Sequence, residues 1–392
     1  MDHKVKAPGI SPKGRWRRAR LGILGACVLA AGASATALAA GSVGPGVTKP
    51  VPLAPYKPSS QVGAKPNLPR AIGYVQDSTR GFEQLLLGGL QKGAKASGLK
   101  LDDVNSNGDS QQEVQDMQQF LVTGVGAMVT APVDPTGQAA PMVSAINDGV
   151  AMDGIVFGPA ITQVNANQYA GGLALGGLAA RYIKADLGGK ANVVILNQDS
   201  VQPIVPRFKG VVAALKKVPG VKIIANVEPA TTDNQGGFNT MNTILQEGKQ
   251  VNVVLGADAV VEGAYQALQA DHKLSSKQFL AGMDCEPQAI AYIEKGGAYK
   301  GCVALSPGIF AYALAEFAAR WLAGKNVPEG IDIYPHAVSS VAQARAYEKA
   351  DNNPGTVWND PKQMSQYLKF YGSISYATRS KYLAYSWNPA AK

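Results

Sequence analysis

The chain has 392 residues, more than one ordinary core accommodates and enough for two compact domains. Hydrophobic residues make up 46% and charged residues 17%, which excludes a disordered chain. The net charge of +9 is concentrated in residues 1–40, where Lys4, Lys6, Lys13, Arg15, Arg17, Arg18 and Arg20 face only Asp2; the remainder is too weakly basic for a phosphate-binding surface, so no nucleic-acid partner is expected.

Residues 1–40 read as an export signal. A basic stretch ending at Arg20 precedes LGILGACVLAAGASATALAA, apolar and rich in small residues, with a cleavage site near Ala39 or Ala40. A single membrane anchor is the alternative, weakened by the Ala- and Gly-rich run. LGAC at Leu24–Cys27 also matches a lipoprotein signal, in which Cys27 is lipidated, and RRARL is a weak twin-arginine match. The expected location is the periplasm or the outer face of the cell membrane. Residues 41–69 carry seven prolines and read as a semi-extended linker.

From Ala71 the pattern is regular. AIGYVQ reads as a strand, GFEQLLLGGLQKGAKASG as a helix closed by Gly98, LKLDDV as a strand, and SQQEVQDMQQFLVTG as a helix. VGAMVTAP is a buried-type strand, PTGQAAPMVSAINDG a helix and VAMDGIVFG a strand. A second run of the same kind starts near Gln168 and alternates helices and strands to GCVALSP, ending in the helix FAYALAEFAARWLAGK. Alternation of this kind implies an α/β fold with parallel strands joined by helical crossovers. Ligands of such sheets bind beyond the carboxyl ends of the strands, which directs attention to the loops QDSTRGF, APVDPT, FGPAI, NQDSVQPIVPR, EPATTDN, ADAVVEG and MDCEP.

Chemical motifs point away from catalysis. LGGKAN lacks the upstream Gly and the Ser/Thr of a phosphate-binding loop. G-x-S-x-G does not occur, and acids at strand ends are too common in α/β folds to mark a glycosidase pair. No enzyme activity and no cofactor are expected. Past the signal only His272 and His336 remain, far apart, so no zinc-type site is expected either. Cys285 and Cys302 are read as a disulfide, since an exported chain meets an oxidising compartment; two buried thiols are the alternative.

The order of segments resembles the exported sugar-binding proteins of ABC importers, of the ribose-binding, type I periplasmic kind, over about Ala71–Ala344. IGYVQ…GFEQLLLGGLQKGAKASG followed by SQQEVQDMQQFLVTGVGAMVTAPVDPT is similar to that family's amino-terminal lobe. VPRFKGVVAAL, VVLGADAVVEGAYQALQA and LAGMDCEPQAIAYIEKGG resemble three motifs of its second half. The resemblance implies two doubly wound parallel-sheet lobes joined by a three-strand hinge, with a ligand cleft between them. It assigns 70–165 plus about 306–335 to the N-terminal lobe and 166–305 plus about 336–345 to the C-terminal lobe. Hinge crossings fall near Gln163–Gln168, Leu305–Pro307 and Pro335–Val338. Residues 346–392 form a C-terminal extension whose structure the pattern does not give.

The same resemblance implies a binding site. Phe82 falls on a stacking aromatic, flanked by Arg80 and Glu83, and Gln76 and Asp77 end the first strand. Arg207 falls on an arginine that clamps ligand hydroxyls. Asp258 and Asp284 match a pair of ligand-side carboxylates, although Asp258 could instead brace its loop by capping the next helix. Three positions depart from the ribose pattern: Asp153 precedes the place of a missing Asp-Arg pair, Thr232 replaces an aromatic, and Leu305 replaces the hinge Gln. A monosaccharide or polyol held otherwise than ribose is the expected ligand, with a non-sugar such as a small cyclic or aromatic compound as alternative. ABC permease subunits are the implied membrane partners of a monomeric chain. A sensor subunit for a receptor kinase or chemoreceptor is the second reading. A repressor of the lac type is excluded by the export signal where a helix-turn-helix would have to be.

Overall fold

The computed structural model describes residues 53–156, 158–201 and 204–384; the export signal and Cys27 lie outside the described residues. The strand β1 (Ala71–Gln76) is buried at every position, as expected of a parallel strand covered on both faces. The helix α1 (Gly81–Ser97) buries Leu86, Leu90 and Ala94, four residues apart, and stops at Gly98, whose φ of 64° lets its N–H turn back onto the last carbonyls. After β2 (Lys100–Asn105), the helix α2 (Ser110–Thr123) starts where Asp109 accepts from the N–H groups of Gln111 and Gln112. β3 (Ala127–Thr130), α3 (Ala139–Asn147), β4 (Ala151–Ile155) and β5 (Thr162–Ala166) complete the first run.

The second run comprises α4 (Gln168–Asp186), β6 (Lys190–Leu196), α5 (Val205–Leu215), β7 (Gly220–Val227), α6 (Asn234–Gln246), β8 (Val253–Ala257), α7 (Asp258–Ala270), β9 (Phe279–Asp284), α8 (Pro287–Lys295) and β10 (Tyr299–Ala304). Then follow α9 (Pro307–Leu322), β11 (Gly330–Ile333), β12 (His336–Val338), α10 (Val341–Asn352), α11 (Pro354–Trp358), α12 (Pro361–Tyr367) and β13 (Leu368–Tyr371). The strands build two sheets. One has seven strands in the order β13-β11-β5-β4-β3-β1-β2; the other has six, β12-β10-β9-β8-β6-β7. All neighbours are parallel except β13 on β11 and β12 on β10.

The chain passes between the sheets where β5 meets α4, at Leu305–Ser306 between β10 and α9, and at Tyr334–Pro335 between β11 and β12. A fourth passage lies in the extension. α10 packs on α8 and β12 of the second lobe, whereas α11 packs on α9 and α1 and β13 joins the first sheet. The carboxylate of Asp351, at the end of α10, packs against Gly308 in the first turn of α9, facing the N–H groups of Gly308 and Ile309. Ser306 holds φ at 51° and makes no side-chain cap there.

Residues 53–69 are extended, yet they are fastened to the first lobe and do not float free. Tyr56 N–H donates to Phe370 O, its hydroxyl donates to Asn326 O at 2.8 Å, and Gly63 N–H donates to Gly324 O.

Candidate functional site

At the first lobe's side of the cleft, the turn after β1 forms a closed polar knot. Arg80 Nη2 meets Asp77 Oδ2 at 2.6 Å, Arg80 Nε donates to Ser78 Oγ at 2.8 Å, and Ser78 Oγ donates to Asp77 Oδ1 at 2.6 Å. The knot holds the half-exposed guanidinium at the lip. Phe82, the second residue of α1, lies 6.3 Å from the Phe310 ring of α9 at a 43° tilt.

Opposite stands α5. Its first turn is pressed onto α4 so closely that a Cβ on Gly172 would lie 1.7 Å from the carbonyl oxygen of Arg207. Only glycine permits that approach, and it lays the buried Arg207 side chain against α4, with Nε donating to Gln168 Oε1 at 2.9 Å. Burial lowers the pKa of this guanidinium, an effect opposed by the nearby Asp284 and Asp258. Asp284 ends β9 with φ at 98°, and Cys285 follows at 53°. Two successive non-glycine residues at positive φ are strained, and a disulfide between Cys285 and Cys302 of β10, with Cα atoms 5.2 Å apart, ties the turn down. Burial pushes the Asp284 carboxyl above its usual range, while Arg207 from its own lobe and Arg80 from the other pull it back.

Asp284 thus lies within electrostatic reach of Arg207 in its own lobe and of Arg80 in the other, where Arg80 is paired with Asp77 and Phe82 follows at the start of α1. Six other residues singled out by the sequence lie apart from this group. Gln76 is buried and donates from Nε2 to Asp103 Oδ2 of the neighbouring strand at 3.0 Å. Glu83 is 1% exposed beneath α1, accepts from the Tyr74 hydroxyl, and is pushed to a pKa of about 7 by burial and by Asp77. Asp153 lies mid-strand in β4, paired with Val129 and Thr162 and buried within the lobe, so it does not reach the cleft. Leu305 is a buried core side chain at the second crossing. Asp258 has no exposed surface; its Oδ2 accepts from Glu286 N–H at 2.8 Å and its Oδ1 from the Tyr299 hydroxyl at 2.5 Å. Asp258 therefore does not cap α7, which has no side-chain cap; one of its oxygens instead braces the β9–α8 turn and the other holds Tyr299 of β10. Thr232 sits half-exposed beside Asp233, the N-cap of α6.

Sequence reasoning missed two contributors. Gln168 positions Arg207 from the first turn of α4. Glu286, in the MDCEP loop, reaches across to the first lobe: its carboxylate lies against Gly81 and faces the Phe82 N–H at the start of α1. The loop was legible as a strand tip, but the partner's identity was not, because the two are remote in sequence. Among the described residues no group of three or more His, Cys, Asp or Glu has metal-holding geometry.

Residues 72–326 match the family described as the periplasmic binding protein domain. The chain belongs to that family. Among its relatives is an ABC transporter periplasmic-binding protein, YphF, of Escherichia coli (strain K12), 23% identical over 67% of this chain and 85% of the relative. The ribose import binding protein RbsB of Bacillus subtilis (strain 168) is 27% identical over 62% of this chain and 78% of its own length. Among solved structures, an ABC transporter solute binding protein from Bacillus halodurans with bound myo-inositol superposes with a TM-score of 0.62 at 19% identity, covering 74% of this chain and 99% of that one. At that identity the likeness concerns the fold: two α/β lobes with mostly parallel sheets.

Chemically, Arg80 and Arg207 offer guanidinium donors from the two lobes, and Asp284 offers a carboxylate acceptor within electrostatic reach of both. Such groups bond hydroxyls with fixed geometry, and charged partners make the stronger bonds.

Proposed function

We propose that this chain is an exported solute-binding protein that captures a small neutral polyhydroxylated molecule, a monosaccharide or polyol, by closing its lobes about the hinge. It then delivers that molecule, chemically unchanged, to the membrane subunits of an ABC importer. The observation that carries this reading is the electrostatic reach of Arg80 from one lobe and of Arg207 from the other onto Asp284. Family membership supports it, and the names of relatives that act in ABC transport and ribose import point the same way. In this assignment Arg207 and Asp284 bond hydroxyls, Arg80 and Asp77 close the lip, and Phe82 packs on the guest's C–H face. Leu305, at the hinge Gln of the ribose pattern, favours a guest other than ribose in its usual pose.

A thermal-shift screen of the chain without residues 1–40 against monosaccharides and polyols tests the reading. A true ligand at about a hundred times its Kd adds about 2.7 kcal/mol of stability. No shift with any carbohydrate or polyol overturns it.

A further inference from the structure

The two lobes touch through more than the proposed ligand-facing charges. Glu286 opens the β9–α8 turn of the second lobe and is buried. Its carboxylate lies against the amino end of α1 in the first lobe, where it faces the N–H of Phe82, the second residue of that helix. The first intrahelical bond of α1 runs from Gln84 N–H to Arg80 O, so the Phe82 N–H lies in the group of first-turn donors for which the helix itself offers no acceptor. The helix dipole also favours negative charge at that end.

Two further observations show that the contact is built and not incidental. A Cβ on Gly81 would lie 2.6 Å from Glu286 Oε2, so the first position of α1 leaves just the room the carboxylate fills. The backbone N–H of Glu286 is itself held by Asp258, which Tyr299 holds in turn. A line of contacts therefore runs from β10 through the first residue of α7 and the β9–α8 turn to the amino end of α1, crossing the cleft beside Asp284.

We propose that Glu286 is the latch of the closed clamp, a positioning residue that fastens the second lobe onto the amino end of α1, and that Asp258 sets its direction. On this view Asp258, whose sequence match suggested ligand contact, acts on closure and not on the solute. The proposal rests on the hinged-capture reading, but its test reads the lobe contact directly.

Amide hydrogen exchange of the full chain isolates that contact, because Phe82 N–H owes its protection to Glu286 whereas Leu86 and Leu90 N–H owe theirs to the helix. Exchange is measured in the chain alone and with excess D-ribose, myo-inositol and other monosaccharides and polyols, for the native chain, Glu286→Ala, Glu286→Gln and Gly81→Ala. A charge-assisted bond lost here should speed Phe82 exchange about tenfold or more in Glu286→Ala. Gly81→Ala, which keeps the carboxylate but crowds it out, should match Glu286→Ala, while Leu86 and Leu90 stay unchanged. Glu286→Gln retains an acceptor oxygen and should keep most of the protection. Equal Phe82 exchange in the native chain and Glu286→Ala under every condition overturns the latch, as does full Phe82 protection in Gly81→Ala. The hinged-capture reading fails separately, if no solute raises the melting temperature of the native chain.

Discussion

Glu83 and Asp258 show how a carboxylate that sequence places near a site is diverted by its surroundings. Strand-end position locates Asp258 within a few ångströms of the cleft, but not the direction its side chain takes, and here Tyr299 and the Glu286 N–H claim both oxygens. Arg207 and Asp284 were legible because helix start and strand tip together fix where their side chains emerge; Glu286 was not, because its partner belongs to the other lobe. Glu83 carries a pH consequence. Burial raises its pKa from the ordinary 4.5 to about 7, so between those values the folded chain binds a proton that the unfolded chain has released. The stabilisation is complete below about 4.5 and is lost as pH rises through about 7. The term is worth on the order of 3 kcal/mol. The urea midpoint should therefore fall between pH 5 and 8, and Glu83→Gln, neutral throughout, should flatten that fall; an unchanged slope in the variant would assign the pH dependence to other groups.

At the scale of elements, the repeated strand–helix alternation was readable because buried parallel strands such as β1 are continuous apolar runs. β5 was not, since Thr162, Gln163 and Asn165 look like loop residues. They are buried all the same, with the Thr162 hydroxyl donating to Pro328 O and Gln163 Nε2 to Gly154 O. β13 was equally hidden: its strand state comes from pairing with β11, remote in sequence. The β9 turn depends on Cys285–Cys302, a closure with a sequence separation of 17. Loops of that size lose about 3 kcal/mol of stability when opened. Reduction with dithiothreitol should lower stability by about that amount, and solute affinity should fall with it, since Asp284 and Glu286 flank Cys285. Affinity unaltered by reduction would show that the turn keeps its form without the bond.

For the whole molecule, the two-lobe plan with three crossings followed from the family resemblance, while the fourth passage through α10 and α11 did not, because short polar-faced helices carry little periodic signal. That passage, with Asp351 packed against the first turn of α9, adds a fourth link between the lobes and should restrict their twisting. The central claim is closure of the lobes on a small neutral guest, and small-angle X-ray scattering tests it most directly. With a solute that raises the melting temperature, the radius of gyration should fall below that of the chain alone. The chain alone should scatter as a wider particle. Identical scattering with and without such a solute would contradict capture by hinge closure.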